Sequence, residues 1–413
     1  MLLRAHTVLP VSNPPISDGA VQVEGNRIVA VGRWADMIQY SGERIDLGAS
    51  ILLPGLINAH CHLDYTAMAG MIPPPRKFPD WIGAILGLKA EWSYSEYAES
   101  WLQGARMLIE SGTTTVMDIE AVPELLPEVL QSTPLRVLSL IEMTGVKSRA
   151  VPGAILQEAL QHVRRLPHNS GVGLSPHAPY STAVDLLKLT ASKARERKLL
   201  ISTHVAESAA EFEMFMYRRG PLFELLHSQR DMSDCGQGSP VQHIAQCGLL
   251  GSSFLAVHVN YLWDRDAMLL GESGSHVVHC PQSHQYFGHR RFPRHELERA
   301  GVNICLGTDS LASTRTMRRK LPKLNMFSEM RAMASSSSDL APRTLVQMAT
   351  LNAARALGRA GRIGEITPGA FADLIAIPCI TGSPDPYETV LNHQGSVAAS
   401  MINGQWVMTP DNS

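Results

Sequence analysis

The sequence predicts an α/β fold: a (β/α)8 TIM-like barrel with a small β-sandwich domain formed by both chain ends. Three observations predict it. Eight continuous apolar runs recur, ending at 57 and then spanning 114–117, 136–140, 171–174, 199–203, 254–257, 276–278 and 302–306. Segments of helical period lie between most of them, as at 97–109 and 182–196. Apolar strands alternating with helices mean a parallel sheet covered by helices, and eight of them suit a closed barrel. The third observation is that residues with chemistry cluster just after these runs, where a parallel barrel keeps its active site.

The chain ends read differently. Ala20-Val21-Gln22-Val23-Glu24 alternates, Gly25-Asn26 turns, and the run 27–32 returns, which signals a hairpin. After the barrel come short strands at 372–377 and 400–407, the latter around an Asn403-Gly404 turn. Residues 1–53 plus 363–413 are therefore expected to form the small β-domain, with the catalytic barrel at 54–362 inserted between them. Ser335 to Ser338 is the one low-complexity patch and is read as a loop.

Composition excludes several classes. The 413 residues are 45% hydrophobic and 18% charged, a globular balance. A formal charge of −2 offers no electrostatic reason for a nucleic-acid or anionic-membrane partner. No run reaches the roughly 18 apolar residues of a membrane helix, and the first residues lack a secretory pattern. Six cysteines without a CxxC pair read as reduced thiols, so the expected location is cytoplasmic.

Within the barrel, His60 and His62 follow the first run. In an extended chain, side chains two apart share a face, so both imidazoles project together. His177 follows the run at 171, His204 the run at 199 with Glu207 three residues later, His258 the run at 254, His279 the run at 276, and Asp309 the run at 302. One such histidine is ordinarily a hydrogen-bonded core or loop residue, and Asp309 alone could cap a helix. Capable residues at six strand ends are another matter, because burying several imidazoles together needs hydrogen bonds or a metal to compensate.

Neutral imidazoles with one carboxylate suit Zn²⁺, with Fe²⁺ as the alternative. The expected ligands of this divalent metal are His60, His62, His204 and Asp309. A catalytic site of this kind keeps one position for water, whose pKa the metal lowers to about 7. Glu207 is placed to move protons, Asp309 serves both as ligand and in catalysis, and His258 faces the water or the developing oxyanion. His284, Tyr286 and Phe287 are candidates to shape an aromatic substrate pocket, and Arg76 and Lys77 to meet an anionic group.

The motifs PGLINAHCH at 54–62, HAPYS at 177–181, HVAE at 204–207, VHVNYL at 257–262, HCPQS at 279–283 and LGTDS at 306–310 occur in that order. They resemble the amidohydrolase superfamily, in its branch of S-adenosylhomocysteine/methylthioadenosine deaminases, guanine deaminase and triazine chlorohydrolases. The stretch 349–377 looks like that family's return into its small domain. The resemblance implies the same metal ligands and roles for Glu207 and His258, and places His177 near the substrate. Binuclear members carry a carboxylated lysine on a middle strand. The runs at 136–140 and 171–174 have none, and Lys147 lies beyond its strand, which argues for one metal per chain.

Mononuclear members of the branch typically replace a ring amino group by oxygen and release ammonia. The implied activity is thus hydrolytic deamination of a small amino-substituted N-heterocycle (purine or nucleoside-like, pterin or pyrimidine). The alternative is a chlorohydrolase, or a cyclic amide or amidine ring-opening hydrolase, in the same site. The stretch 283–289, with 307–313, is similar to aminodeoxyfutalosine deaminases and points to a 6-aminopurine nucleoside-like substrate. The resemblance also suggests a homodimer.

Overall fold

The computed structural model describes residues 1–75, 77–146, 151–166, 171–316, 321–379 and 385–410. Arg76 and Lys147 lie outside these residues. The barrel strands, labelled here β1 to β8, are Leu56–Cys61, Thr113–Glu120, Arg136–Met143, Gly171–Pro176, Leu200–Val205, Phe254–His258, His276–His279 and Asn303–Leu306. They form one eight-stranded sheet in sequence order, each parallel to the next.

Side-chain alternation explains why these runs are apolar throughout. Inward residues such as Ile57, Met117, Leu138, Leu255 and Val278 share one buried cluster. Their neighbours Val116, Val137, Ile201, Phe254 and Val277 join a second cluster with Trp101, Leu108, Leu156 and Leu187 of the surrounding helices. Both faces of each strand are thus taken out of water. The helix Tyr94–Glu110 shows how sequence sets an element's start: Ser93 and Glu96 form a reciprocal capping box. The serine patch is partly helical, contrary to expectation. Helix Met326–Ser336 includes Ser335 and Ser336, because Asn325 caps its start and Met330 and Met333 bury its inner face.

Closure joins β8 to β1. Cys61 bridges Asp309, and the amides of Thr308 and Asp309 both donate to the His60 carbonyl, at 3.0 and 3.1 Å. Gly307 makes the approach feasible, since a Cβ there would lie 2.8 Å from the His60 carbonyl oxygen.

The chain ends meet in a second, mixed eight-stranded sheet. Ser50–Pro54 pairs antiparallel with Leu374–Pro378 and parallel with Leu2–Val8. Ile16–Glu24 and Arg27–Arg33 extend the sheet one way, Ala399–Ile402 and Gln405–Met408 the other. The sheet curls over itself, so that Val21, Ile28, Leu374 and Met401 share one buried cluster. Its two hairpin turns touch: a Cβ on Gly404 would lie 2.0 Å from the Gly25 carbonyl oxygen.

This sheet is tied to the base of the barrel. Arg136, at the start of β3, donates from Nε and Nη2 to Asp373 at 3.1 and 2.9 Å, and Asp373 also accepts from the Asn403 amide at 2.7 Å. All six cysteines are free thiols, five of them buried. No helix among the described residues is long and apolar enough to cross a membrane.

Candidate metal centre and active site

The strand ends bring His60, His62, His204 and Asp309 together, all buried, with one ligand atom from each within 4.8 Å of the others. Local contacts aim these atoms. Asn58 clamps the β1–β8 junction, its Nδ2 donating to Thr308 Oγ1 at 2.7 Å while its Oδ1 accepts from the Thr308 amide at 3.0 Å. His204 Nδ1 donates to the His177 carbonyl at 2.7 Å, which leaves Nε2 as the lone-pair nitrogen facing His62 Nε2, 3.3 Å away. Asp309, in the left-handed region at φ +56°, receives the Ser283 and Ser313 hydroxyls on Oδ2, at 2.7 and 3.1 Å. Its Oδ1 turns instead toward His60 and His62 Nε2, at 3.6 and 3.7 Å.

These residues fit a cation. Both ring nitrogens of His60 and Nδ1 of His62 are buried without a hydrogen-bond partner, and orphaned polar atoms of this kind are costly unless something fills the site. Burial, then the neighbouring His60, lowers His62 to about 3, and burial with the surrounding imidazoles drives His204 well below its ordinary value. The rings of His62 and His204 are therefore neutral bases, the form in which imidazole binds a metal. Burial pushes the Asp309 carboxyl up, but the facing His60 foremost outweighs it and holds the group well below its ordinary value.

A second group adjoins the first. His258 Nε2 lies 3.7 Å from Glu207 Oε1 and 4.0 Å from Asp309 Oδ2. Burial lowers His258 to about 3, so the ring is neutral. Burial, with Asp309 and Glu211 nearby, raises Glu207 well above its ordinary value. A buried carboxyl whose hold on its proton is strengthened, beside a neutral imidazole, can both give and take one.

All of these groups except His60 line one cavity of 620 Å³ that also includes His177. His177 Nδ1 is held by Ser181 Oγ at 2.6 Å. The cavity's outer walls are apolar: Trp81, Ile85 and Leu86 on the helix Phe78–Glu91, and Leu222, Leu225 and Leu226 on the helix Pro221–Leu226.

Three residues expected in the pocket stand behind it. His284, Tyr286 and Phe287 belong to the helix Pro281–Phe287, and none of them lines the cavity. Tyr286 is buried, its hydroxyl donating to the Ile72 and Pro73 carbonyls at 3.0 and 3.1 Å. Phe287 packs on Phe78 and Trp81, with centroids 5.3 Å apart in both pairs, so it supports the wall without forming it. His284 Nδ1 bonds Asn260 Oδ1 at 2.9 Å. Lys77 is exposed and is not among the lining residues.

Sequence reasoning missed Glu142 and Lys89, which both line the cavity. Burial pushes the Glu142 carboxyl up, but the Lys89 ammonium foremost more than offsets it and keeps the group ionised. Glu142 sits one residue from the end of β3, so an acid closing the run 136–143 was the available signal.

The model of the amidohydrolase family matches residues 51–407. The chain belongs to the amidohydrolase family. It is 29% identical over 414 aligned positions to a protein of Syntrophobacter fumaroxidans named 5-methylthioadenosine/S-adenosylhomocysteine deaminase, covering 94% of this chain and 88% of that one. It is 28% identical to a 5′-deoxyadenosine deaminase of Methanothermobacter thermautotrophicus, covering 89% of this chain and 84% of the relative. Among solved structures, an adenosine deaminase from Xanthomonas campestris with bound zinc superposes with a TM-score of 0.85 at 25% identity, over 99% of this chain and 92% of the other. An amidohydrolase barrel with its small chain-end domain is thus the frame in which these side chains meet.

Proposed function

We propose that this amidohydrolase is a hydrolytic deaminase of an amino-substituted N-heterocycle, borne on a nucleoside-like substrate, with residues 54–362 as its catalytic unit. One observation carries the reading: Glu207, its carboxyl raised by burial, and the neutral His258 converge with Asp309 beside the four-ligand cluster. The names of the relatives support the nucleoside-like substrate.

His60, His62, His204 and Asp309 would hold one divalent cation, zinc by the hardness of the donor set, with iron(II) as the alternative. When bound, the cation supplies Lewis acidity and a water acidified to about pKa 7. The remaining chemistry belongs to the protein. Water adds across the ring C=N of the amidine and ammonia departs, so that C–NH2 plus H2O becomes C=O plus NH3. Glu207 gives its proton to the ring nitrogen as the C–O bond forms. It then takes one proton from the added oxygen and delivers it to the leaving amine, and takes the oxygen's second proton as the C=O forms, ending as it began. His258, 3.7 Å from Glu207 and 4.0 Å from Asp309, faces the oxygen on which charge develops. Trp81 and the leucines of Pro221–Leu226 offer the heterocycle apolar surface and keep bulk water out.

The test is ammonia release across aminopurine nucleosides, guanine, aminopterins, cytosine and aminotriazines, with metal content measured in parallel. Ammonia from the aminopurine nucleosides with about one metal per chain is the expected result. Chloride or a ring-opened product, with no ammonia from any class, would overturn it. Glu207→Gln is expected to keep its metal and lose about 10²- to 10⁴-fold in turnover, and normal turnover in that variant would remove Glu207 from the role given to it.

A further inference from the structure

We infer that Asn260, backed by His284, is a positioning residue that locks Glu207 against His258. The inference rests on the reading of Glu207 as the proton carrier. It starts from backbone strain. Strand β6 ends at His258 with φ +74°, and Val259 follows at φ +49°. Two successive left-handed residues, neither of them glycine and one β-branched, persist only where the surroundings over-determine them. The facing segment is bent in the same way, with Ala206 at φ +50°.

The two segments are laced together. The Val259 amide donates to the Val205 carbonyl at 3.0 Å, and the amides of Asn260 and Tyr261 both donate to the Ala206 carbonyl, at 3.0 and 3.3 Å. The Asn260 side chain extends the lacing by one residue, to Glu207 itself: its Nδ2 donates to the Glu207 carbonyl at 2.9 Å. The Glu207 amide donates to Glu211 Oε2, also at 2.9 Å, so the peptide groups on both sides of its Cα are held.

Asn260 is 4% exposed, and water does not compete for its amide. The amide's orientation is set from behind, where His284 Nδ1 donates to Asn260 Oδ1 at 2.9 Å. With Nδ2 committed to a carbonyl, Oδ1 must be the acceptor and His284 must carry its proton on Nδ1. His258 is two residues before Asn260, so a single brace carries both members of the Glu207–His258 pair. The histidine that the sequence placed among substrate contacts thus acts through Asn260, away from the cavity. A displacement of about 1 Å at reacting groups costs about 10²-fold in rate.

Four variants of the full chain test this: Asn260→Ala, Asn260→Asp, His284→Phe and His284→Asn. Asn260→Ala and Asn260→Asp are expected to lower kcat by about 10²-fold, with KM within about threefold and metal content unchanged, because the aspartate cannot donate to the Glu207 carbonyl. His284→Phe is expected to lose about tenfold in kcat, the low end for residues that orient a reacting group. His284→Asn places an amide N–H where Nδ1–H was and is expected to retain wild-type kcat. Amide hydrogen exchange at 205–208 and 259–261 should quicken in Asn260→Ala and His284→Phe but not in His284→Asn, a readout that needs no substrate. Wild-type kcat in both Asn260 variants, identical behaviour of the two His284 variants, losses that follow metal content, or unchanged exchange would each overturn the inference. Glu207→Gln, measured alongside, separates the two ideas. Normal turnover there removes the reading of Glu207, whereas its loss with unaffected Asn260 variants removes only the positioning role.

Discussion

The two ends of the barrel bury charge in opposite ways. At the base, Arg136 and Asp373 meet in a two-pronged contact, and the Asn403 amide takes up a further lone pair of the carboxylate. At the top, His60 and His62 leave buried ring nitrogens without partners, and Asp309 and His258 hold left-handed backbone. Polar groups that complete one another serve stability, whereas polar groups left incomplete and strained are kept for something that arrives. Both ends bury ionisable groups, and their satisfaction distinguishes them.

The contrast breaks most sharply if the top proves to be structural. His204→Ala is expected to abolish metal binding and ammonia release together, with the fold retained by circular dichroism; a folded variant that still carries stoichiometric metal would erase the distinction. At the base the effect should be inverted. Asp373→Ala leaves the partly buried Arg136 without its carboxylate and is expected to cost about 3 kcal/mol in denaturant unfolding. Metal content and KM should stay as they were, and a change in KM would mean that the ends are not separate.

A smaller effect sharpens the comparison through pH. Burial raises Glu329 to about 8, while its carboxyl oxygens accept from the Gln282 amide and side chain. The folded state therefore holds a proton that an unfolded glutamate releases near 4.3. Stability from this group is complete below about 4.3 and is lost as pH rises toward about 8, by at most about 1.4 kcal/mol per pH unit. Glu329→Gln should flatten that decline, and an unaltered slope would show that Glu329 does not titrate there. The smallest effect concerns Tyr286. Its hydroxyl anchors the 72–73 carbonyls behind the cavity wall, so Tyr286→Phe should cost about 1 kcal/mol and leave KM unchanged.

Much of this was legible in the sequence, for a physical reason. A barrel strand must be apolar on both faces, so a histidine or aspartate straight after such a run stands out, as His60, His204, His258 and Asp309 do. What sequence spacing does not carry is direction across the fold. Ser283 and Ser313 sit in motifs that were read, yet their hydroxyls turning Asp309 Oδ1 toward the imidazoles is a matter of side-chain aim. His284, Tyr286 and Phe287 follow a strand end as the true lining residues do, and the course of a seven-residue helix takes them behind the wall. Glu142, two residues beyond the run 136–140, is a lone acid with no second capable residue beside it in the sequence, and so does not stand out as the histidines do.

The pairing of Ser50–Pro54 with Leu374–Pro378 also bears on how the protein is made. Pro54 faces Leu374, so a strand that leaves the ribosome early must wait for one some 320 residues later. At roughly 5–20 residues per second that interval is about 16 to 64 seconds. Until then the edge formed by Ile51, Leu52 and Leu53 is exposed to other nascent chains, a hazard for any unpaired strand. The small domain is begun first and finished last, and a delay within the barrel's coding region lengthens the time during which its edge is bare.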